Sequence, residues 1–257
     1  MIDHRLVKLG AKRSTPDERT LKIAKYLTVP QLPPAPPART WSKAVAVPWG
    51  MLANDTLGDC TLAGICHFFM VEAANNGQQI EFDPNVVSKI YLSLTGGQDT
   101  GLELLDVLKY AMNTGIPDTT GVIHKIGAYA QVNTQDLQEV MAVINLFGGM
   151  YSGVALPLTA QNQTVWDVTD PSLTGNAAPD SWGGHCVPIP DYADFGDSCI
   201  TWGELMTMTK AFFAAYFFEG WAVFTLDWIK NGVAPNGFDK DTLTADVQAV
   251  TGPPQQS

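Results

Sequence analysis

Positive charge, cysteine, histidine and long apolar runs are all scarce in this 257-residue sequence. Fifteen Lys and Arg face 26 Asp and Glu, a net charge of -11 with no basic stripe. That balance excludes phosphate-backbone recognition and disfavours an anionic membrane surface, so neither nucleic acid nor membrane is expected as a partner. The longest apolar run, around Ala211–Phe218, ends at Glu219-Gly220, well short of the roughly 18 residues that a membrane span needs. The opening stretch MIDHRLVKLGAKR carries charges where a signal peptide would need its apolar core, so the expected location is the cytoplasm or a viral particle. Four cysteines (Cys60, Cys66, Cys186, Cys199) are too few for a disulfide scaffold at this length. No Cys-x-x-Cys or His-x-x-x-His pair occurs, so no metal site is expected. The Gly-Gly pairs at 96–97, 148–149 and 183–184 lack the flanks of a phosphate loop or dinucleotide fingerprint, and there is no Gly-x-Ser-x-Gly elbow. No cofactor is expected.

What is present reads as an acidic globular protein, 46% hydrophobic and 16% charged. Residues 1–40 read as an arm. Ser14-Thr15-Pro16-Asp17-Glu18 has the signature of a helix start, predicting a short helix to about Tyr26. Pro30, Pro33, Pro34, Pro36 and Pro37 then predict an extended, polyproline-like strap. Asp59 reads as the N-cap of a helix beginning at Cys60 and stopping at Asn75-Asn76-Gly77. Further helices are predicted at Pro84–Leu94, Leu102–Thr114 and Thr134–Phe147. Short strands are predicted at Tyr151–Leu156, His185–Ile189, Ser198–Trp202 and Trp221–Thr225, interrupted by a helix at Met206–Phe218. Helices first and strands later predict an α+β protein with two lobes over residues 41–229. A polar tail follows at 230–257, with one short helix at Asp241–Val250.

A thiol in the first turn of a helix benefits from unpaired backbone N–H groups and the positive end of the helix dipole, which makes Cys60 a candidate nucleophile. Of the four histidines, His4 lies in the arm. His67 is about two turns along the helix of Cys60 and too far to serve it. His124 sits in a Gly- and Thr-rich loop. His185 follows Ser181-Trp182-Gly183-Gly184 and opens an apolar strand, so it is the candidate base. Cys60 and Cys66 point roughly 120° apart on their helix. Cys66 reads as a core residue. Cys186 and Cys199 read as packing residues that face each other across a hairpin.

Asn54-Asp55-Thr56-Leu57-Gly58-Asp59-Cys60-Thr61 resembles the nucleophile segment of papain-like cysteine peptidases, with Gly58 two residues before the cysteine. The resemblance runs over about residues 40–228. Trp41 through Trp49 resembles the start of the mature enzyme, Gly101–Ile116 its second helix, and Asp136–Pro157 the helix leading into the first barrel strand. Gly184-His185-Cys186-Val187 resembles its histidine strand, 125 residues beyond Cys60. It implies a helical N-terminal lobe and an antiparallel, β-barrel-like C-terminal lobe. It also implies that Asn54, six before Cys60, helps hold the oxyanion. Leu57 and Thr61 replace a cysteine and an aromatic of the family pattern, and Asp59 sets a carboxylate beside the thiol. The family's histidine-orienting Asn is replaced within Cys199-Ile200-Thr201-Trp202-Gly203 by Ile200 or, with a one-residue shift, Thr201. The resemblance implies a thiol-dependent peptidase or amidase acting on a peptide or amide substrate. The missing Asn supports a second reading, a catalytically weak fold used as a structural or binding component of a homo-oligomer or phage-like particle. In a third, residues 1–40 strap the cleft of an inhibited zymogen.

Overall fold

Cys60 through Ala74 are all buried, so helix α1 (Cys60–Asn75) is covered on every side. A helix of this kind belongs at the centre of a fold rather than on its surface. A computed structural model of the chain describes residues 4, 6–16, 20–25, 34–225 and 228. Strands β1 (Ala11–Lys12) and β2 (Arg39–Thr40) precede α1. After it come α2 (Pro84–Leu94), β3 (Leu102–Glu103), α3 (Leu104–Asn113), β4 (Ile116–Pro117), β5 (Ile123–His124) and β6 (Ile126–Val132). The chain continues through α4 (Leu137–Phe147), β7 (Met150–Leu156), β8 (Val165–Trp166), β9 (Gly183–Ile189) and β10 (Asp191–Ala193). It closes with β11 (Gly196–Thr201), β12 (Glu204–Thr209), α5 (Lys210–Tyr216) and β13 (Phe217–Thr225).

The helix boundaries follow local chemistry. Asp83 accepts from Asn85 N and is followed by Pro84, which together start α2. Asp136 accepts from Gln138 N and Glu139 N at the head of α4, and Gly148, at φ 75°, supplies the left-handed stop. Asp59, expected as the cap of α1, makes no side-chain cap bond; only its carbonyl begins the helix, accepting from Leu62 N and Ala63 N.

Two sheets make the second half, one of four antiparallel strands ordered β6-β13-β7-β9 and one of five ordered β2-β10-β11-β12-β8. They remain open sheets, so the barrel-like lobe of the family resemblance is not a closed barrel among the described residues. Every residue of β7 is buried, because one face of its sheet meets α1 while the other meets α4 and α5. Tyr151, Cys186 and Trp221 pack with α1, α2 and α3. Val154, Val187 and Ala222 pack with α4, α5 and the second sheet. The two apolar clusters are the two lobes, and α1 runs along their seam. Tyr151 OH donates to Thr61 O at 2.8 Å, pinning the head of α1 to the sheet. Among the described residues no helix is long and apolar enough to cross a membrane.

The expected helix at Met206–Phe218 is instead the end of β12, the seven residues of α5 and the start of β13. Met206 and Met208 alternate inward against exposed or half-buried neighbours, a strand period that the run of apolar letters conceals. Strand β6 was not among the expected elements. Of the helix expected from Ser14, residues 14–16 are not helical and Ile23–Lys25 form one 3-10 turn, while 17–19 and Tyr26 lie outside the described residues. Pro34–Pro37 have no regular structure; Pro30 and Pro33, the tail from 230 and its expected helix lie outside the description. Cys186 and Cys199 do not face each other: β9 pairs with β7, placing Cys186 opposite Gly153, and Cys199 stands opposite Met206. All four cysteines are buried and free.

Candidate active site

Cys60 is the first residue of α1, and the backbone of Cys186, next to His185 on β9, hydrogen-bonds towards its thiol. Helix and strand thus bring the two candidates to one seam although 125 residues separate them. Burial pushes the Cys60 thiol up to about 12, against the pull of backbone hydrogen bonds from Cys186, Gly10 and Ala11. Burial likewise pushes His185 down to about 3. Both side chains are therefore neutral over the physiological range. No hydrogen bond joins them, because His185 Nδ1 is buried without a partner.

The other ring nitrogen is held. His185 Nε2 lies 2.7 Å from Thr201 Oγ1, and the imidazole stacks on Trp202 at 4.5 Å between centroids and 17° between planes. Of the two residues that sequence reading left open as the orienting partner, Thr201 meets the ring and Ile200 packs in the apolar cluster of the second lobe. Trp202 reaches this position with φ 45° at the β11–β12 turn. Asn54 is buried, and its Nδ2 donates to Leu57 O at 3.0 Å and to Lys8 O at 3.3 Å.

Asp59 was expected to set a negative charge beside the thiol. Burial instead pushes it up to about 8, against weaker opposing contacts from its own backbone and the Asn54 amide, so it is largely uncharged at neutral pH. His67, set aside from the sequence, donates to the Trp49 and Gly50 carbonyls, and burial lowers it to about 4. His124 pairs with Asp118 at 3.1 Å, in a buried contact of the first lobe. Among the described residues no group of His, Cys, Asp or Glu could hold a metal ion.

The third sequence reading laid a strap from residues 1–40 across the cleft without saying which of them cover the thiol; residues 8–15 are the ones beside it. Residues 8–15 run through the seam in extended form. Lys8 N donates to Asn54 O at 3.2 Å, and Lys8 O accepts from Asn54 Nδ2 and from Trp202 Nε1, each at 3.3 Å. Leu102 N donates to Gly10 O at 2.9 Å, and β1 pairs in parallel with β3, Ala11 beside Leu102 and Lys12 beside Glu103. Backbone meets backbone here without room for side chains. A Cβ on Gly10 would stand 1.8 Å from Gly58 O, one on Gly101 2.2 Å from Gly10 O, and one on Gly184 2.2 Å from Ala11 O. The only local signal was Gly10 itself, since a segment held through its main chain leaves little mark in its side chains.

No family model and no curated protein sequence matches the chain. Solved structures do. Xylellain, a cysteine protease from Xylella fastidiosa, superposes with a TM-score of 0.65 over 86% of this chain and 97% of its own, at 13% identity. ProCathepsin B S9 from Trypanosoma congolense gives 0.61 over 85% of this chain and 86% of its own, at 10% identity. The Carica candamarcensis cysteine protease CMS1MS2 gives 0.57 over 74% of this chain and 98% of its own, at 14% identity. An α1 that begins with a cysteine at the lobe seam, beside a strand carrying histidine, is set in the architecture of these enzymes: the chain has the papain-like cysteine protease fold.

Proposed function

We propose that the chain is a thiol-dependent peptidase or amidase, held closed in this state by its own residues 8–15. The observation that carries this reading is an extended peptide already lying across Cys60, with its Lys8 carbonyl accepting from the Asn54 amide. A seam that grips a peptide main chain over a thiol at a helix start supports acyl transfer to that thiol.

In the chemistry this supports, the Cys60 proton passes to His185 Nδ1 and the sulfur attacks the scissile carbonyl carbon. Asn54 Nδ2 and the Cys60 N–H donate to the oxyanion. Collapse of the tetrahedral adduct leaves a thioester, and His185 returns the proton to the departing amine. Water, deprotonated by His185, then releases the acid. For Nδ1 to act as the base, Nε2 must carry the other proton and donate it to Thr201 Oγ1, so Thr201 fixes the working tautomer. Trp202, stacked on the ring, keeps water off that bond.

The closed state is silent because burial leaves thiol and imidazole uncharged. Withdrawal of residues 8–15 rehydrates both and permits the thiolate–imidazolium pair. The test is iodoacetamide labelling of the full chain from pH 5 to 9, with the site mapped by mass, before and after the segment is displaced by substitution at Gly10. Fast labelling of Cys60 near pH 6 in the opened protein, lost in His185→Ala, is expected. An opened Cys60 that labels like an ordinary thiol, rising only near about pH 8.5, would sink the reading.

A further inference from the structure

Asn54 reaches its place at the end of a backbone that few residues tolerate. Gly50, Leu52 and Ala53 hold φ of 69°, 53° and 77°, and for the two that are not glycine this left-handed region is strained. Such strain persists only where the surroundings over-determine it. The turn closes through Asn54 N, which donates to Met51 O at 3.0 Å, and Leu57 N to Ala53 O at 2.9 Å carries it on towards α1. One side chain fixes the turn to the body. His67 Nε2 donates to Trp49 O at 3.0 Å and to Gly50 O at 3.1 Å. Among the described residues no other side chain hydrogen-bonds the main chain of 49–52.

His67 is 2% exposed and stands seven residues after Cys60 on α1, so the helix that carries the thiol also carries the grip on this loop. Both of its partners are carbonyls, which only accept, so Nε2 carries the ring proton. The Trp49 ring meets the imidazole edge-on, 5.9 Å between centroids and 86° between planes, and holds its orientation. The Gly50 carbonyl has a further neighbour in the other lobe. A Cβ on Gly203 would stand 3.1 Å from Gly50 C and 3.2 Å from Gly50 O, so the turn that follows Trp202 lies against the same peptide. Trp202 is the ring stacked on His185. The Gly50–Met51 peptide therefore meets three parts of the proposed machinery. It meets the nucleophile helix through His67, the Asn54 turn through Met51 O, and the His185–Trp202 stack through Gly203.

We infer that His67 is a positioning residue of this cleft, acting through the Gly50–Met51 peptide to set the Asn54 amide at the oxyanion. The inference deepens the peptidase reading and rests on it. His67 lies about 10 Å along the helix from Cys60, so its effect passes through the loop and not through the thiol. Its loss misplaces a donor without removing it, and a misplacement of about 1 Å costs up to about a hundredfold in rate.

The test uses the full chain opened by Gly10→Ala. Turnover is read with a pool of tripeptidyl aminomethylcoumarins, and the fastest member then gives kcat and KM. The thiol is read separately by iodoacetamide labelling of Cys60 at pH 6, a reaction that forms no oxyanion. His67→Phe keeps a ring in the core and removes the donor. It should lower kcat at least about tenfold while KM and the labelling rate each stay within about twofold. His67→Gln, whose amide can donate to the same carbonyls, should retain most of the turnover. In an Asn54→Ala background His67→Phe should cost less than about twofold more, because the amide it positions is gone. An unchanged kcat in His67→Phe, a parallel fall of turnover and labelling, or full additivity with Asn54→Ala would overturn the inference and leave the peptidase reading standing. An opened chain that hydrolyses no member of the pool sinks the peptidase reading and takes this inference with it. Should thermal melts show that His67→Phe does not fold, Gly50→Ala decides. Gly50 is exposed, and a Cβ there would meet only Leu52 Cδ2 at 3.8 Å, so that variant strains the same peptide at φ 69° without a clash. The same fall in kcat with labelling preserved is expected from it, and an unchanged kcat overturns the inference.

Discussion

Replacing Gly10 by alanine should unlock the thiol. The new Cβ would lie 1.8 Å from the Gly58 carbonyl oxygen and 2.5 Å from its carbon, where an ordinary contact needs about 3.5 Å. Gly58 cannot yield easily. Its N–H is held by Asp99 Oδ1 at 2.9 Å, and it lies two residues before the first residue of α1. The occluding segment must therefore lift by more than an ångström, which breaks the Leu102 N to Gly10 O bond. Overpacking of this kind costs about 1–3 kcal/mol, and the lost bond adds about 1 kcal/mol. Together, about 2–4 kcal/mol shifts the closed–open equilibrium by about 30- to 1000-fold. The assay is iodoacetamide labelling at pH 7, resolved by cysteine. Cys60 should label about 30-fold faster or more, whereas buried Cys66, Cys186 and Cys199 stay at the wild-type rate and report that the body remains folded. The pH profile should change with it. In the closed chain, where the thiol sits at about 12, labelling climbs across the whole range; in the opened chain an ion pair gives a plateau that begins below neutrality. Equal Cys60 rates in the two proteins would refute the reasoning, and so would a joint rise of all four cysteines.

In an opened background, Thr201→Val should lower kcat/KM by about tenfold through loss of the Nε2 bond, with Thr201→Ser retaining most of it, as read by steady-state kinetics. Asn54→Ala should lower kcat by about a hundredfold or more with little change in KM, since its amide serves the oxyanion. Asp59 carries a pH signature in stability: its folded pKa of about 8 stands above the ordinary 3.8. Its contribution is therefore whole at low pH and is lost as pH rises between those values, at about 1.4 kcal/mol per pH unit. Asp59→Asn should flatten that slope in thermal melts, and an unchanged slope would remove Asp59 as its source.

The sequence made the nucleophile helix legible because its length, its Asn-Asn-Gly stop and its unbroken apolar face agree with one another. It made β9 legible through a short apolar run behind Gly-Gly. It hid β6, whose inward positions include Ala128 and Ala130, small residues that carry no strand signature. Met206–Thr209 was hidden because apolar letters of period two merge with those of the following helix. Thr201 was readable only to within one residue, since a turn at Trp202 settles the offset and no local pattern encodes it. A strap within residues 1–40 was legible as one reading, but which residues form it was not. Lys8, Leu9 and Gly10 act through carbonyls and amides that every residue possesses, so only the partner surfaces, far away in the chain, give them their role.

The direction of that segment has a consequence of its own. A substrate places its N-terminal part on the acyl side and its C-terminal part on the leaving side. Residues 8–15 lie the other way round, with Lys8 beside Trp202 and Ser14 beside Glu219. On the proposed chemistry, a carbonyl carried in backwards has its amine on the side away from His185, so attack on it has no proton donor and reverses. On that chemistry the chain would hold its own segment indefinitely without consuming it. Latency would then be ended by something outside the cleft, a second protease or a change of surroundings, and the timing of activity would belong to that agent.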